Sequence, residues 1–379
     1  MMRRHLLIAA LAASSPFGAG AQGALSLQGF GYPPGQLSAR ALATGGGIAE
    51  FDALSPVNPA SLAAVGAAAI FFQYDPEFRR VTVGGRSAST TTARFSVVGA
   101  TLPVSSQWTL GLSSSTFLDR SSETRSVRQL PVGGDGDITE VTQRSRILGA
   151  INDLRVAVGY APGQSVRFGF GAHALVGSNR ISLDELLPDS SQFTSSNQRS
   201  NVSFAGFAGS AGIIWQPSRL LGVSLSTRMG GDLIAKVADT TIGRGGIPDH
   251  YAAAVRYDGL TGAILSARIA RDNWSSLKSF GGSSVTAFDG WDIGGGAEAV
   301  GPRFMSRVVS LRAGARYRTL PFGLNGAEVK ETGFTGGFGV PLSRDRANFD
   351  FTAQRLTRSS GGDIRERAFI FSFGLRVTP

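Results

Sequence analysis

The chain has 379 residues, with 51 Gly, 24 Phe and no Cys, and 37 Lys plus Arg against 27 Asp plus Glu give it a net charge of +10. Gly at about 13% is close to twice the ~7% of ordinary proteins, and charged residues at 17% fall below the ~25% of soluble ones. The 42% hydrophobic content is too high for a disordered chain, and the absence of Cys excludes disulfides, thiolate metal sites and cysteine nucleophiles.

In chain order, Arg3-Arg4 precede the apolar run Leu6 to Ala13, and Ala19-Gly20-Ala21 offers a small-x-small cleavage site. That order predicts a secretory signal peptide over 1–21. The run is too short for a spanning helix, which needs ~20 apolar residues. Residues 22–65 do not alternate; small residues, Gly45-Gly46-Gly47 and two Pro-containing turns suggest a compact segment with one or two short helices. Asn58-Pro59 suits a helix start, Asn as cap and Pro at the first helical position.

From residue 66 the dominant signal is period-two alternation. Val309, Leu311, Ala313, Ala315 and Tyr317 alternate with Ser310, Arg312, Gly314 and Arg316. Phe369, Phe371, Phe373, Leu375 and Val377 form one face of the last such segment. A 180° repeat is a strand repeat. Strands are expected near 66–74, 91–102, 107–118, 150–161 (extending upstream toward Ile138), 164–177, 201–216, 219–230, 248–258, 261–273, 289–300, 306–318, 330–341, 345–357 and 366–377. An even number of strands of spanning length predicts an all-β fold, a 14-stranded antiparallel transmembrane β-barrel over 66–379. Short connections such as Pro162-Gly163 and Pro217-Ser218 alternate with long ones at 75–90, 119–149, 178–200, 231–247 and 274–288. Short periplasmic turns and long extracellular loops are what such barrels show, whereas a sandwich has no reason to sort its loops. The apolar rows then face lipid. Arg155, Arg167, Arg256, Arg268, Arg312 and Arg316 project into the lumen, as a solvated or plug-paired lining or as an anion path.

Residues 22–65 are most simply placed inside the barrel as an N-terminal plug, with a periplasmic arm as the alternative. Catalytic and metal sites are not expected. His173 and His250 lie on separate strands without metal spacing, and no G-x-S-x-G elbow exists, although a triad assembled in three dimensions stays open. Ser275-x-x-Lys278 lacks partner motifs, and the carboxylates of Gly133-Gly134-Asp135-Gly136-Asp137 read as a solvated loop tip rather than a Ca²⁺ site. The basic residues are dispersed, which argues against nucleic acid as a partner.

The stretch R-A-L-A-T-G-G-G, then an Asp, then N-P-A-S-L-A (Arg40 to Ala63) resembles the N-terminal hatch of FadL-type outer-membrane transporters, and also their PorV-like branch. Ile247-Pro248-Asp249-His250-Tyr251 and Glu331 to Gly339 are similar to the same group. Asn58, Pro59 and Ala60 match the family's hatch tripeptide. The final residues Arg376-Val377-Thr378-Pro379 depart from the terminal aromatic common in such barrels, leaving Phe373 for the assembly machinery. The resemblance implies a bacterial outer-membrane location and passive uptake of hydrophobic compounds such as long-chain fatty acids, with neither enzymatic activity nor a cofactor. It implies outer-membrane lipid, a hydrophobic small molecule and the barrel assembly machinery as partners. It also implies lateral exit near a kinked third strand, here 107–118, with Gly111 and Ser113-Ser114-Ser115 as places where pairing could loosen. The PorV-like branch implies a different role, a secretion-system shuttle that binds exported proteins; a structural barrel without cargo is the third reading.

Overall fold

A strand that crosses lipid must satisfy every backbone group through its neighbours, so alternating strands of this kind are stable only in a closed ring. The computed structural model of the chain, which describes residues 25, 29–131, 138–186, 196–280, 286–304, 307–324, 326–343 and 346–379, shows that ring. The expected signal peptide and the Gly133–Asp137 loop tip lie outside these residues.

The strands are β1 (Ala69–Val83), β2 (Arg86–Pro103), β3 (Trp108–Asp119), β4 (Ser122–Pro131), β5 (Ile138–Tyr160), β6 (Val166–Leu186), β7 (Ser196–Trp215) and β8 (Leu221–Val237). They continue as β9 (Thr240–Gly246), β10 (His250–Leu260), β11 (Ala263–Asp272), β12 (Gly290–Phe304), β13 (Arg307–Leu324), β14 (Ala327–Leu342), β15 (Ala347–Ser359) and β16 (Ile364–Val377). Each pairs antiparallel with its neighbours, and β1 pairs with β16 to close the barrel. The sixteen segments fill fourteen wall positions, because β3 and β4 both pair with β5, and β9 and β10 both pair with β8.

The outer face is apolar. Ile70, Phe72, Leu112, Val156, Phe170, Leu225 and Phe334 are each at least 44% exposed, which only lipid makes favourable. At the short-turn end Trp108 stacks on Tyr160 with ring centroids 4.3 Å apart. At the other end Tyr251, Arg271 and Trp291 stand in register across three strands. Aromatic rows at both rims are the girdles of a spanning barrel.

Several stretches expected as long loops are strand instead. Residues 75–90 form the top of the β1–β2 hairpin around Gly84-Gly85, and β4 to β7 extend through much of 119–149 and 178–200. Beyond lipid one face need not be apolar. Runs such as Ser89-Thr90-Thr91-Thr92 keep β-favouring residues while losing the alternation that marks a strand in sequence.

Candidate functional site

The ladder between β2 and β3 stops short of the ends of both strands. β2 pairs with β3 from Pro103↔Thr109 to Val97↔Ser115 and no further, so β2 from 86 to 96 pairs only with β1. Both strands bulge where the ladder stops. β2 gains a residue against β1 between Val97 and Arg94, and β3 gains one against β5 between Thr116 and Leu118. A bulge bends the strand and ends pairing locally. Here it also turns Phe117 and Leu118, adjacent in sequence, both to the inside, where they are 3% and 0% exposed. Gly111, Ser113 and Ser114 stand just below this break, in continuous register with β2 and β5.

Phe117 and Leu118 belong to an apolar cluster inside the ring. It gathers Ile151, Leu175, Val202, Phe204, Leu233 and Ile247 from β5 to β8 and beyond, with Phe30 from the N-terminal segment. A 3₁₀ turn, Trp274–Phe280, covers it. Trp274 stacks on Phe117 at 5.3 Å, and Phe280 meets Phe30 at 4.9 Å. Barrel interiors are ordinarily polar, whereas this one is apolar beside the end of the β2–β3 ladder. Two cations border it, Arg228 at 5.0 Å over the Phe117 ring and Arg120. The Arg120 guanidinium lies 3.9 Å over the Phe30 ring and 5.1 Å from Phe204. With its amide turned, Asn179 accepts from Arg120 Nε and Nη1. No carboxylate forms an ion pair with Arg120 among the described residues.

The N-terminal segment reaches lumen-facing groups on strands from opposite sides of the ring. Its helix α1 (Ala39–Ala43) is capped by Ser38, whose hydroxyl accepts from Ala41 N at 3.0 Å and also bonds Asp52. Arg40 forms a bidentate pair with Glu298 on β12, both bonds 2.8 Å. Glu50, fully buried, accepts from Arg268 Nε on β11 (2.8 Å) and Ser226 Oγ on β8 (2.7 Å). Asn58 caps the 3₁₀ turn Pro59–Ala64, accepting from Ala60 N at 2.9 Å and donating to Ser224 Oγ at 2.8 Å. The wall is glycine where this backbone touches it. A Cβ on Gly212 would fall 1.9 Å from Asn58 Oδ1, and one on Gly169 2.2 Å from Ala60 N. Across the ring, a Cβ on Gly294 would fall 1.9 Å from the Gly45 carbonyl oxygen.

Tyr32 ties this segment to the break. Its backbone exchanges two 2.8 Å hydrogen bonds with Asp119, the last residue of β3. Its hydroxyl accepts from Arg318 Nη2 (2.5 Å) and Arg358 Nη2 (2.9 Å) and donates to Glu331 Oε2 (3.1 Å). Glu77, Arg79 and Arg94 complete a buried ionic cluster. Such a cluster fixes geometry more than it adds stability, since desolvation offsets most of its attraction. Next to Tyr32's bridge, Gln36 donates to Ser115 Oγ (2.7 Å) and Asp153 Oδ2 (2.9 Å) from a strained backbone at φ 50°.

Of the lumen arginines read from the sequence, Arg268, Arg312 and Arg316 are paired, with Glu50 and Asp292, with Glu298 and Asp350, and with Asp292 respectively. Arg256 pairs with Asp258. His250 and His173 each hold an aspartate, Asp272 at 2.7 Å and Asp153 at 2.8 Å. Between these groups a cavity of about 60 Å³ runs from Gln36 and His173 to Trp274 and Asp292. Among the described residues no group of three or more His, Asp or Glu could hold a metal ion. Phe30, Tyr32, Phe117 and Arg120 were not legible as site residues. The only signals were two aromatics around Gly31 in a small-residue segment, and the adjacent Phe117-Leu118 breaking the alternation of β3.

No protein-family model matches this sequence, and no curated protein matches it either. Solved structures match over nearly the whole chain. A FadL homologue of Pseudomonas aeruginosa superposes with a TM-score of 0.67 at 13% identity, covering 92% of this chain and 99% of that one. The CymD monoaromatic hydrocarbon channel gives 0.58 at 13% identity over 90% and 97%. The Pseudomonas putida toluene transporter TodX gives 0.55 at 15% identity over 92% and 98%. The chain has the fold of the FadL-type transporters.

Proposed function

We propose that the chain is an outer-membrane channel for passive uptake of hydrophobic compounds, with residues 22–65 as its hatch and Asn58-Pro59-Ala60 as the hatch's seat on the wall. The observation that carries this reading is the apolar cluster inside the barrel, contiguous through Phe117 and Leu118 with the break in the β2–β3 ladder. A ligand that leaves sideways into lipid never has to cross water. The exit begins at Thr116, with Gly111, Ser113 and Ser114 forming its lower lip. The names of the structural neighbours, hydrocarbon channels among them, support a hydrophobic cargo. Arg120 beside the cluster favours a long-chain fatty acid within that class, because a half-buried guanidinium without a carboxylate partner is complementary to a carboxylate headgroup.

The test is native mass spectrometry of the protein extracted gently from its own outer membrane. A bound apolar molecule, lost when Leu175→Trp fills the cluster, is the expected result. A ligand-free barrel that carries an exported protein contradicts uptake and supports the shuttle role of the PorV-like branch.

A further inference from the structure

Three neighbouring wall strands bring together Asp153 on β5, His173 on β6 and Ser210 on β7. His173 Nδ1 lies 2.8 and 3.0 Å from the two carboxylate oxygens of Asp153, and its Nε2 lies 2.8 Å from Ser210 Oγ. Asp153 accepts at Nδ1, so the neutral ring carries its lone pair on Nε2, facing the serine hydroxyl. Ser210 makes no other side-chain hydrogen bond among the described residues, and all three side chains are at most 8% exposed. Asp153 is itself held, by Gln36 Nε2 at 2.9 Å and by Arg228 at 3.6 Å. Gly171 makes the serine's position possible, because a Cβ there would fall 2.5 Å from Ser210 Oγ.

Beside this trio some buried donors are left over, as they also are at Arg79 and Arg94 of the Tyr32 cluster. Arg228 stands directly across from Ser210 in the β7–β8 register, and Arg155 directly across from His173 in the β5–β6 register. Both are buried, yet Arg228 Nε and Arg155 Nε and Nη1 have no hydrogen-bond partner. The lumen cavity of about 60 Å³ is lined by His173 and Arg228 together with Phe117, Trp274, Arg268 and Asp292, while Ser210 and Arg155 stand outside its lining. An oriented hydroxyl, a base, an orienting carboxylate and spare cationic donors near a small cavity of mixed lining are the parts of an acyl-transfer site.

We propose that Ser210, His173 and Asp153 form a serine-hydrolase centre inside the barrel, acting on esters with a short acyl group. Ser210 Oγ bonds to the ester carbonyl carbon while its proton passes to His173 Nε2. The carbonyl electron pair moves to its oxygen, where the negative charge meets the free N–H groups of Arg155 and Arg228. Collapse breaks the ester C–O bond, and the leaving alcohol takes the proton from His173. Water then attacks the acyl-serine with His173 again as base, releasing the carboxylic acid and restoring the hydroxyl. Ser210 and His173 are the catalytic residues; Asp153 and Gly171 are positioning residues.

The experiment uses the full chain refolded in detergent, with folding checked by heat-modifiable gel migration. It reads two signals, hydrolysis of p-nitrophenyl acetate and covalent labelling by a small alkyl fluorophosphonate, with the labelled peptide mapped by mass spectrometry. The expected result is phosphonylation at Ser210 in the wild type, abolished in Ser210→Ala. Labelling falls about 10³–10⁴-fold in His173→Gln and, near neutral pH, in Asp153→Asn, which disturbs the histidine tautomer. Gly171→Ala lowers labelling with migration unchanged, a loss that a purely structural serine would not show. A folded wild-type barrel that is unlabelled at Ser210, or that hydrolyses the ester no faster than Ser210→Ala, overturns the proposal. Because the wild-type labelling site is decisive alone, a variant that fails to fold does not rescue the idea.

Discussion

Gly212 has no room for a methyl group, since Asn58 Oδ1 occupies the place its Cβ would take. Gly212→Ala must therefore push Asn58 off the wall, breaking its bonds to Ala60 N and Ser224. Overpacking of this kind costs about 1–3 kcal/mol. The expected outcome is faster hydrogen exchange across residues 58–62 with the strand ladders unchanged; unchanged exchange there would argue that Asn58 does not seat the segment. Arg120 is the second single-residue case. Removing it with Arg120→Met takes away a charge-assisted bond worth about 1.5–3 kcal/mol, roughly 10–100-fold in affinity for oleate. Toluene binding, which uses no carboxylate, should change little. Equal losses for both ligands would mean that Arg120 only packs against Phe30. The asparagine cap was readable from Asn58-Pro59 because capping is local chemistry. Arg120 was not, since its lack of a carboxylate depends on which strands meet in space.

Among the elements, the 3₁₀ turn Trp274–Phe280 controls the apolar cluster from above. It places Trp274 and Leu277 inside while Ser276 Oγ donates to the Gly246 carbonyl at 2.8 Å. Asp289 anchors its start, accepting from Ser275 N at 3.1 Å and from Arg271 Nη2 at 3.3 Å. Burial pushes the Asp289 carboxyl up, but the hydrogen bonds from Ser275 and Arg271 outweigh it and hold the group below its usual range. A depressed carboxylate stabilises the fold fully above its unfolded value of about 3.9, and that contribution is lost as pH falls through the lower folded value. Trp274 emission, isolated by replacing Trp108, Trp215 and Trp291 with Phe, should hold steady from neutral pH down to about 4 and shift below it. Asp289→Asn should bring the shift at neutral pH, and a steady signal in that variant would show that the turn does not depend on Asp289. The period-two rows announced most wall strands, because lipid on one side and a lumen on the other impose alternation. The hairpin tops, β4 and the break at Thr116 were hidden. Outside lipid the alternation lapses, and a one-residue bulge leaves little mark in a sequence beyond the adjacent Phe117-Leu118.

At the scale of the whole molecule, the N-terminal segment, the apolar cluster and the open ladder meet around Tyr32, Phe117 and Asp119. The N-terminal segment is bonded to β3 at Asp119, to β11 at Arg268 and to β12 at Glu298, so its position and the shape of the gap are mechanically linked. Closing the gap is accordingly the most direct test of passive lateral uptake. Thr116 Oγ1 lies 3.5 Å from the Phe95 carbonyl, which sets Ser96 and Thr116 across the start of the opening. The chain has no Cys to interfere. Ser96→Cys with Thr116→Cys, reconstituted in phospholipid vesicles and oxidised, should form a cross-link visible by mass and stop transfer of radiolabelled oleate into the bilayer. Reduction should restore it. Transfer at the same rate with the cross-link formed would contradict exit through this wall, and with it the central reading of the barrel.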